Sequence, residues 1–434
     1  LLSRIKENQI LQLAIPATVE NVLQTLVGFI DTLMIAKIGL LAVTAVGIAN
    51  TILSVYLAVF IALGVGASAL IAQMLGAKEI AKAKTYTQQA LILSLVVSLF
   101  FSLISLFFAP TILRLMGADQ ESLPAASEFL MIVGGASGAI ALMTVLGSLL
   151  RATGDTKSPM KISVIVNLVN IATDYFLIFH LQMGVVGTAI GTVLSRVLGM
   201  LLLFYKLQQS EIAIEKATFF KKSSYHALIQ LAIPATLERL VMRMGQVVYF
   251  SLIVAIGAKT FAAHSIAGNI ESFAYMPAYG LATAATTLIG YAVGEKDIEK
   301  ARLYAKKATR YGVVILAFFG IILFFGGEFF ATFFTKDAVA IKEITIALKI
   351  DAFIQPALAF SLIMTGALQG AGDTKSPLYS TAFGVWIIRM LGVLLLARHW
   401  QMGIAGVWLS IGIDLYLRSI FLNYRFKRTL QKLT

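Results

Sequence analysis

Read for polarity alone, the chain is a succession of long apolar runs cut by short charged stretches. The run ALILSLVVSLFFSLISLFFAPTILRLMG (90–117) is apolar all round, without the polar face that a helix on a soluble core keeps at 3.6-residue spacing. It exceeds the roughly 20 residues that a helix needs to cross a bilayer. Such runs cover 11–37, 42–75, 87–116, 126–150, 160–180, 184–206, 228–256, 261–292, 310–334, 345–369, 376–397 and 402–424. Segments of about ten residues with alternating polarity, the mark of a membrane barrel, are absent. The pattern predicts an all-α polytopic membrane protein of twelve transmembrane helices. No cleavable signal-peptide pattern stands at the start, so the first run is expected to act as its own insertion signal.

The pattern also repeats. LQLAIPATVE (11–20) returns as IQLAIPATLE (229–238), and GDTKSP (154–159) returns unchanged at 372–377, both offset by 218. HLQMGVVG (180–187) returns as HWQMGIAG (399–406) at offset 219. Each half is then a six-span unit. An even number of spans leaves both copies facing the same way, so the two six-helix bundles should be related by a pseudo-twofold along the membrane normal. Parallel repeats of this kind belong to transporters that bind cargo between the halves. The expected division is an N-terminal bundle over 1–206, a cytoplasmic linker over 207–227 and a C-terminal bundle over 228–434.

GDTKSP falls in the short connections between spans 4 and 5 and spans 10 and 11. Gly suits the end of one helix, Asp, Thr or Ser the cap of the next, and Pro its first turn. A phosphate loop would need a different glycine spacing. The G-x-G-D of an intramembrane aspartyl protease would need its acid inside a span. A capped turn is the better reading.

Composition and charge sharpen this. The chain is 59% hydrophobic and 13% charged, against about 25% charged in soluble domains. A net charge of +13 taken alone would suit a nucleic-acid partner, but its distribution does not. Of 35 Lys and Arg, 23 lie on the side holding both termini and 7 on the other, with Arg196, Arg239, Arg243, Arg389 and Arg418 in or at the ends of spans. That asymmetry predicts a multi-pass protein of the inner or plasma membrane with both termini cytoplasmic, and needs no nucleic-acid partner. There is no Cys, hence no disulfide or thiolate metal site. No cofactor or metal is expected.

Polar residues inside spans demand a reason, since a central carboxylate costs about 2.5–3.5 kcal/mol even on a mild scale. In the first span Glu20 and Gln24 lie within about 20° of the Asp31 stripe. In the fifth, Asn167, Asn170 and Asp174 are spaced three and four apart, again on one face. Counted from the cytoplasmic edge, Asp174 is about 21 Å and Asp31 about 30 Å along its helix, so both fall in the outer half, where two polar stripes could build one pocket. Hydrogen bonding between helices is the bland alternative, equally good for the asparagines. For Asp31 an intramembrane acid that loads and unloads a proton is favoured. Pro16 shares its helix with Asp31, and a bend there would couple protonation to pocket shape.

The second half does not copy this chemistry. Asp31 becomes Tyr249, Asn21 becomes Arg239 and Asp174 becomes Val393. Glu238, Arg239, Arg243, Glu271, Asp351, Arg389 and Asp414 appear instead, and an internal ion-pair network around Arg239 and Arg243 is expected.

At GFIDTLMIAKIG (28–39) the sequence resembles the MATE family, the multidrug and toxic-compound extrusion transporters. Pro16 and Asp31 keep the family's spacing of fifteen residues between an early proline and the acid of its F/V-D-T-x-M motif. RATGDTKSP and QGAGDTKSP resemble its R/Q-x-x-G-D-T loops, and the twelve-span plan covers essentially the whole chain. The resemblance implies export of organic cations and other amphipathic drugs in exchange for H⁺ or Na⁺. It also implies that the pocket acids are Asp31 and Asp174, with Asn170 beside them. Met242 stands where the sodium-coupled bacterial and the eukaryotic branches hold a glutamate. The chain therefore looks more like the DNA-damage-inducible (DinF-like) branch, with H⁺ the expected coupling ion and Na⁺ the alternative.

The expectation is thus an antiporter, working as a monomer, in which a proton taken up at Asp31 loosens a cationic cargo toward the outside. Asp31, Asp174, Asn170, Gln24 and Glu20 are the coupling candidates and Pro16 the hinge. Three rivals stand beside it. A major-facilitator transporter lacks its basic loop here, where GAKEIAKAK stands. A lipid-linked oligosaccharide flippase would use a cationic cavity of Arg239, Arg243 and Arg389. A membrane enzyme would need a nucleophile, metal cluster or acid dyad, and His180, His226, His264 and His399 show no ligand spacing.

Overall fold

The structure, a computed structural model, describes residues 2–215 and 224–433, with side chains described from Gln9 onward. The middle of the linker expected at 207–227 lies outside the described residues. Among the described residues every regular element is helical. The N-terminal half forms α1 (Leu2–Ile38), α2 (Leu40–Gly76), α3 (Ile80–Leu115), α4 (Leu123–Gly135), α5 (Ser137–Ala152), α6 (Lys157–Tyr175) and α7 (Gly184–Gln208). The C-terminal half forms α8 (His226–Ile256), α9 (Ala258–Ala274), α10 (Met276–Gly294), α11 (Ile298–Thr332), α12 (Ala338–Gly370), α13 (Lys375–Phe383), α14 (Met390–Gly392) and α15 (Gly403–Gln431). Wider π-helical turns at Phe176–His180, Gly384–Arg389 and Val393–His399 continue the fifth and eleventh spans.

Ten helical stretches among the described residues are each long and apolar enough to cross a membrane. The other two spans are broken. The fourth, expected as one helix over 126–150, is α4 and α5, bent by 50°. Gly134 and Gly135 lie at the break, where the Ser137 hydroxyl donates to the Gly134 carbonyl; Gly and Ser in succession are a usual cause of a kink. The eighth, expected over 261–292, is α9 and α10, separated at Tyr275. Pro277 at the start of α10 explains this break, because its ring cannot continue the preceding helix. Large apolar side chains such as Phe107 and Phe325 are 73% and 82% exposed, as lipid-facing positions require. The result is an all-helical multi-span membrane protein.

By contact the chain divides into two compact units, one of Val19–Ala232 and one of Leu1–Thr18 with Ile233–Thr434. The first is built on Ala45, Phe60, Phe129 and Leu130 at one end and Ile71, Leu146, Leu149 and Leu207 at the other. The second has corresponding clusters around Leu281, Ala305 and Leu368 and around Tyr249, Ile253 and Trp408. Pro16 and Pro234 each lie within two residues of the point where the chain passes from one unit to the other.

The repeated hexapeptide is the capped turn that its residue types predict. Gly154 and Gly372 adopt φ of 85° and 87°, left-handed values that a glycine takes without strain. The amides of Asp155 and Asp373 donate back to Leu150 and Leu368 at 3.2 and 2.8 Å. The two Asp side chains accept from the amides of Ser158 and Ser376, each at 2.9 Å. One helix is closed and the next is opened by the same six residues.

Candidate functional site

In the unit Val19–Ala232 the fifth span supplies the deepest polar group. Asn167, Asn170 and Asp174 point from one stripe of α6 into the packing, and Asp174 is fully buried. Gly191 of α7 makes room for it, since a Cβ there would overlap Asp174 Oδ1. Asp31, half-buried on α1, lies within electrostatic reach of Asp174. Arg196 of α7 is within reach of both carboxylates, and its Nη1 stands 4.0 Å from Met143 Sδ.

The polar atoms here are poorly partnered. Among the described residues, Asp31 Oδ1, both carboxylate oxygens of Asp174 and the side-chain nitrogens of Asn167 and Asn170 are buried and meet no well-aligned hydrogen-bond partner, although Asn170 approaches Asp174 closely enough to favour its ionised form. Each such group costs about 1–3 kcal/mol, and folded proteins keep few of them. A cluster of them around two acids marks a place where an exchangeable proton or a passing polar group completes the bonding.

The other two candidates of α1 go elsewhere. Glu20 accepts from Arg151 Nη1 at 2.9 Å, and Gln24 Nε2 reaches Glu20 Oε1 at 3.5 Å. Asp31 is eleven residues further on, about 16 Å along the axis, and no hydrogen bond or ion pair among the described residues joins it to Glu20 or Gln24. The single stripe read from the sequence therefore serves two separate groups. Arg196, one of five arginines in or at the ends of spans, has no role in the sequence reading. The signal that could have found it is a lone cation in the apolar run of α7, fifteen residues from the nearest acid in sequence, Glu211, but within reach of two other acids in space.

In the unit Leu1–Thr18 with Ile233–Thr434 the expected ion-pair network forms, but around a different residue. Asp414 is fully buried and accepts from Arg389 Nη2 at 2.7 Å and Arg418 Nη2 at 2.8 Å. Arg389 also lies 5.7 Å over the ring of Tyr249. Arg239 and Arg243 make no ion pair among the described residues, and Glu238 instead accepts from Thr381 at 3.2 Å. His264 is buried, packed against Tyr249 and Trp408. Among the described residues no group of three or more His, Asp or Glu side chains has metal-ligating geometry.

Comparison with known proteins gives one consistent picture. The family model described as MatE matches residues 16–176 and 234–395, one match in each half. A probable multidrug resistance protein NorM of Thermotoga maritima is 29% identical over 417 residues, covering 95% of this chain and 90% of the relative. An uncharacterized transporter YisQ of Bacillus subtilis is 27% identical, with 95% and 92% covered. Among solved structures, a multidrug resistance MATE family transporter in an outward-facing conformation superposes with a TM-score of 0.93 at 25% identity, over 99% of this chain and 97% of its own. A transporter from Pyrococcus furiosus, described as having a binding pocket of reverse polarity, superposes equally well, with a TM-score of 0.93 at 25% identity, over 99% and 96%.

Proposed function

Since the chain belongs to the MatE family, a family of transporters and not of enzymes, we propose that it is a multidrug efflux antiporter that exports cationic amphiphiles in exchange for protons. The observation that carries the reading is the pair Asp31 and Asp174, within electrostatic reach of each other in one unit, with buried oxygens that no ion pair holds among the described residues. A carboxylate without a fixed partner can trade its proton for a cationic cargo, whereas one in an ion pair cannot do so without breaking the pair. Arg196 adds a fixed positive charge, which favours release of a cation once the acids are neutral. The names of relatives such as the Thermotoga maritima protein support drug-like cargo.

The sequence of events is alternating access. From the outside a proton neutralises the pair and the cargo leaves. On the inside the proton is lost and cargo loads. The excess of Lys and Arg on the side of both termini supports a cytoplasmic location for both. Met242, in place of a span-7 glutamate, supports the proton over sodium and the DNA-damage-inducible branch. Pro16 removes a backbone hydrogen bond inside α1, close to where the chain passes between units, and acts as the hinge. The test uses the full chain in vesicles, with a pH gradient or a sodium gradient imposed separately. Efflux of a cationic dye should follow the pH gradient alone and be lost in Asp31→Asn and Asp174→Asn. Efflux that follows sodium, or survives both substitutions, would refute the proposal.

One observation favours a second reading, a carrier of anionic cargo such as a lipid-linked oligosaccharide. Arg239 and Arg243 stand one turn apart on α8 with no ion pair among the described residues, and the Pyrococcus furiosus transporter is described by a reversed pocket polarity. Arg389, the third cation of that reading, is engaged by Asp414. The same vesicles distinguish the two, since anionic cargo would depend on Arg239 and Arg243 and not on Asp31.

A further inference from the structure

A groove of about 530 Å³ opens where α11 begins and α12 and α15 end. Arg302 and Lys306, one turn apart at the start of α11, and Lys427, in the last turns of α15, supply its charge. Phe360 and Met364 of α12 with Phe426 of α15 supply an apolar floor. Among the described residues no carboxylate lines it. Arg302 shares its charge with Glu299 at 2.7 Å, while Lys306 and Lys427 form no ion pair among the described residues.

The depth of these residues matters. Lys427 lies four residues before the end of α15 and Arg302 four residues after the start of α11, in the charged margins outside the apolar runs 402–424 and 310–334. Phe360 lies ten residues before the end of α12, about 15 Å along the axis, at the level of acyl chains. A groove with cations at its mouth and aromatic carbon below matches a molecule with an anion at one end and a hydrocarbon chain at the other. Basic pockets between transmembrane helices hold anionic lipid head groups by this chemistry. A zwitterionic lipid would bring its own ammonium against three cations. A free phosphate would leave the floor uncovered, and apolar area withdrawn from water contributes about 25 cal/mol per Å².

We propose that this groove is a binding site for an anionic phospholipid of the adjacent leaflet, its phosphate held by Lys306, Lys427 and Arg302 and an acyl chain lying on Phe360, Met364 and Phe426. The site involves neither Asp31 nor Asp174 and is independent of the coupling ion and the cargo.

Native mass spectrometry of the full chain in detergent tests it, with phosphatidylglycerol and phosphatidylcholine of identical acyl chains as probes. The expected result is at least fivefold better retention of phosphatidylglycerol, falling to near parity in Lys306→Gln/Lys427→Gln. The control Lys296→Gln/Lys375→Gln, two exposed lysines outside the groove, should keep the preference. In the unaltered protein the preference should fall when ionic strength is raised about tenfold, a measurement that needs no variant. Equal retention of the two lipids, an unchanged preference in Lys306→Gln/Lys427→Gln, or displacement of the lipid by equimolar inorganic phosphate would each overturn the proposal.

Discussion

Asp174 and Asp414 are both fully buried acids of the membrane domain, yet their surroundings are opposite. Asp174 sits on the fifth span with an arginine, Arg196, within reach on the sixth, Asn170 one turn before it, and no ion pair to either oxygen among the described residues. Asp414 sits on the twelfth span, and an arginine on the eleventh, Arg389, grips it together with Arg418 from its own helix. At the repeat offset of 219, Asp414 corresponds to Ser195 and Arg389 to Asn170. Each half therefore holds an acid and a base between its last two spans, on opposite helices and at positions that do not correspond. Of these two acids, Asp174 is left without an ion pair and Asp414 is held by two. Charge-assisted bonds of the second kind are shorter and about twice as strong as neutral ones, which suits a scaffold and not a switch.

The largest test of that contrast is the pair Asp174→Asn and Asp414→Asn. Removing Asp414's charge leaves two buried guanidiniums uncompensated, and breaking a buried pair in this way costs about 3–5 kcal/mol. Asp174→Asn removes a charge that no ion pair holds and that Asn170 alone approaches, so it should cost less than about 1 kcal/mol while abolishing efflux. Thermal unfolding in detergent and dye efflux from vesicles read the two effects separately. Similar destabilisation by both variants would dissolve the distinction.

Two glycines sharpen it. A Cβ at Gly384 would overlap Asp414 Oδ1 and come within 2.7 Å of Arg418 Nη2. Because that carboxylate is held from two sides, Gly384→Ala should destabilise by about 1–3 kcal/mol, the usual cost of overpacking. A Cβ at Gly191 would overlap Asp174 Oδ1, but this carboxylate is free to turn aside. Alanine also gains about 1 kcal/mol of helix propensity over glycine. Gly191→Ala should then leave the unfolding temperature within about 4 °C and still impair efflux, by displacing the acid. A stable, fully active Gly191→Ala would mean that the position of Asp174 is not what matters.

The parts of this that were legible in the sequence are those set by local chemistry. Gly154 and Gly372, with Asp155 and Asp373, announce their turns because the φ and the capping bonds belong to neighbouring residues. The stripe of Asn167, Asn170 and Asp174 is a property of one helix and its period. What escaped depends on which helices touch. Arg196 meets its acids only through the packing of α6 on α7, and Asp414 finds Arg389 across 25 residues and three changes of helical pitch. The same limit explains Glu20, whose stripe points to Asp31 but whose partner Arg151 is 131 positions away. The breaks at Ala136 and Tyr275 were written in Gly134, Gly135 and Pro277, but hydropathy runs smoothly across both.

Glu20 gives the smallest test of the divergence. Glu20 and Glu238 are repeat equivalents in LQLAIPATVE and IQLAIPATLE, and both keep one partner from a neighbouring span. Arg151 pairs with Glu20 at 2.9 Å with the two side chains 20% and 13% exposed. At offset 218 Arg151 becomes Gln369, and Glu238 accepts only from Thr381 at 3.2 Å among the described residues. Partial exposure screens the first pair, so Arg151→Gln should cost about 1 kcal/mol, and Thr381→Ala about 0.5 kcal/mol for a single neutral donor. Urea unfolding of the purified protein, compared at constant m-value, resolves the order. If Thr381→Ala cost more, the C-terminal glutamate would be the better anchored of the two, and the second half would be the stiffer one at this point as well as at Asp414. If neither had an effect, the conserved placement of the two glutamates would owe nothing to stability, and a part for Glu20 in cargo binding, beside Gln24, would become the stronger account.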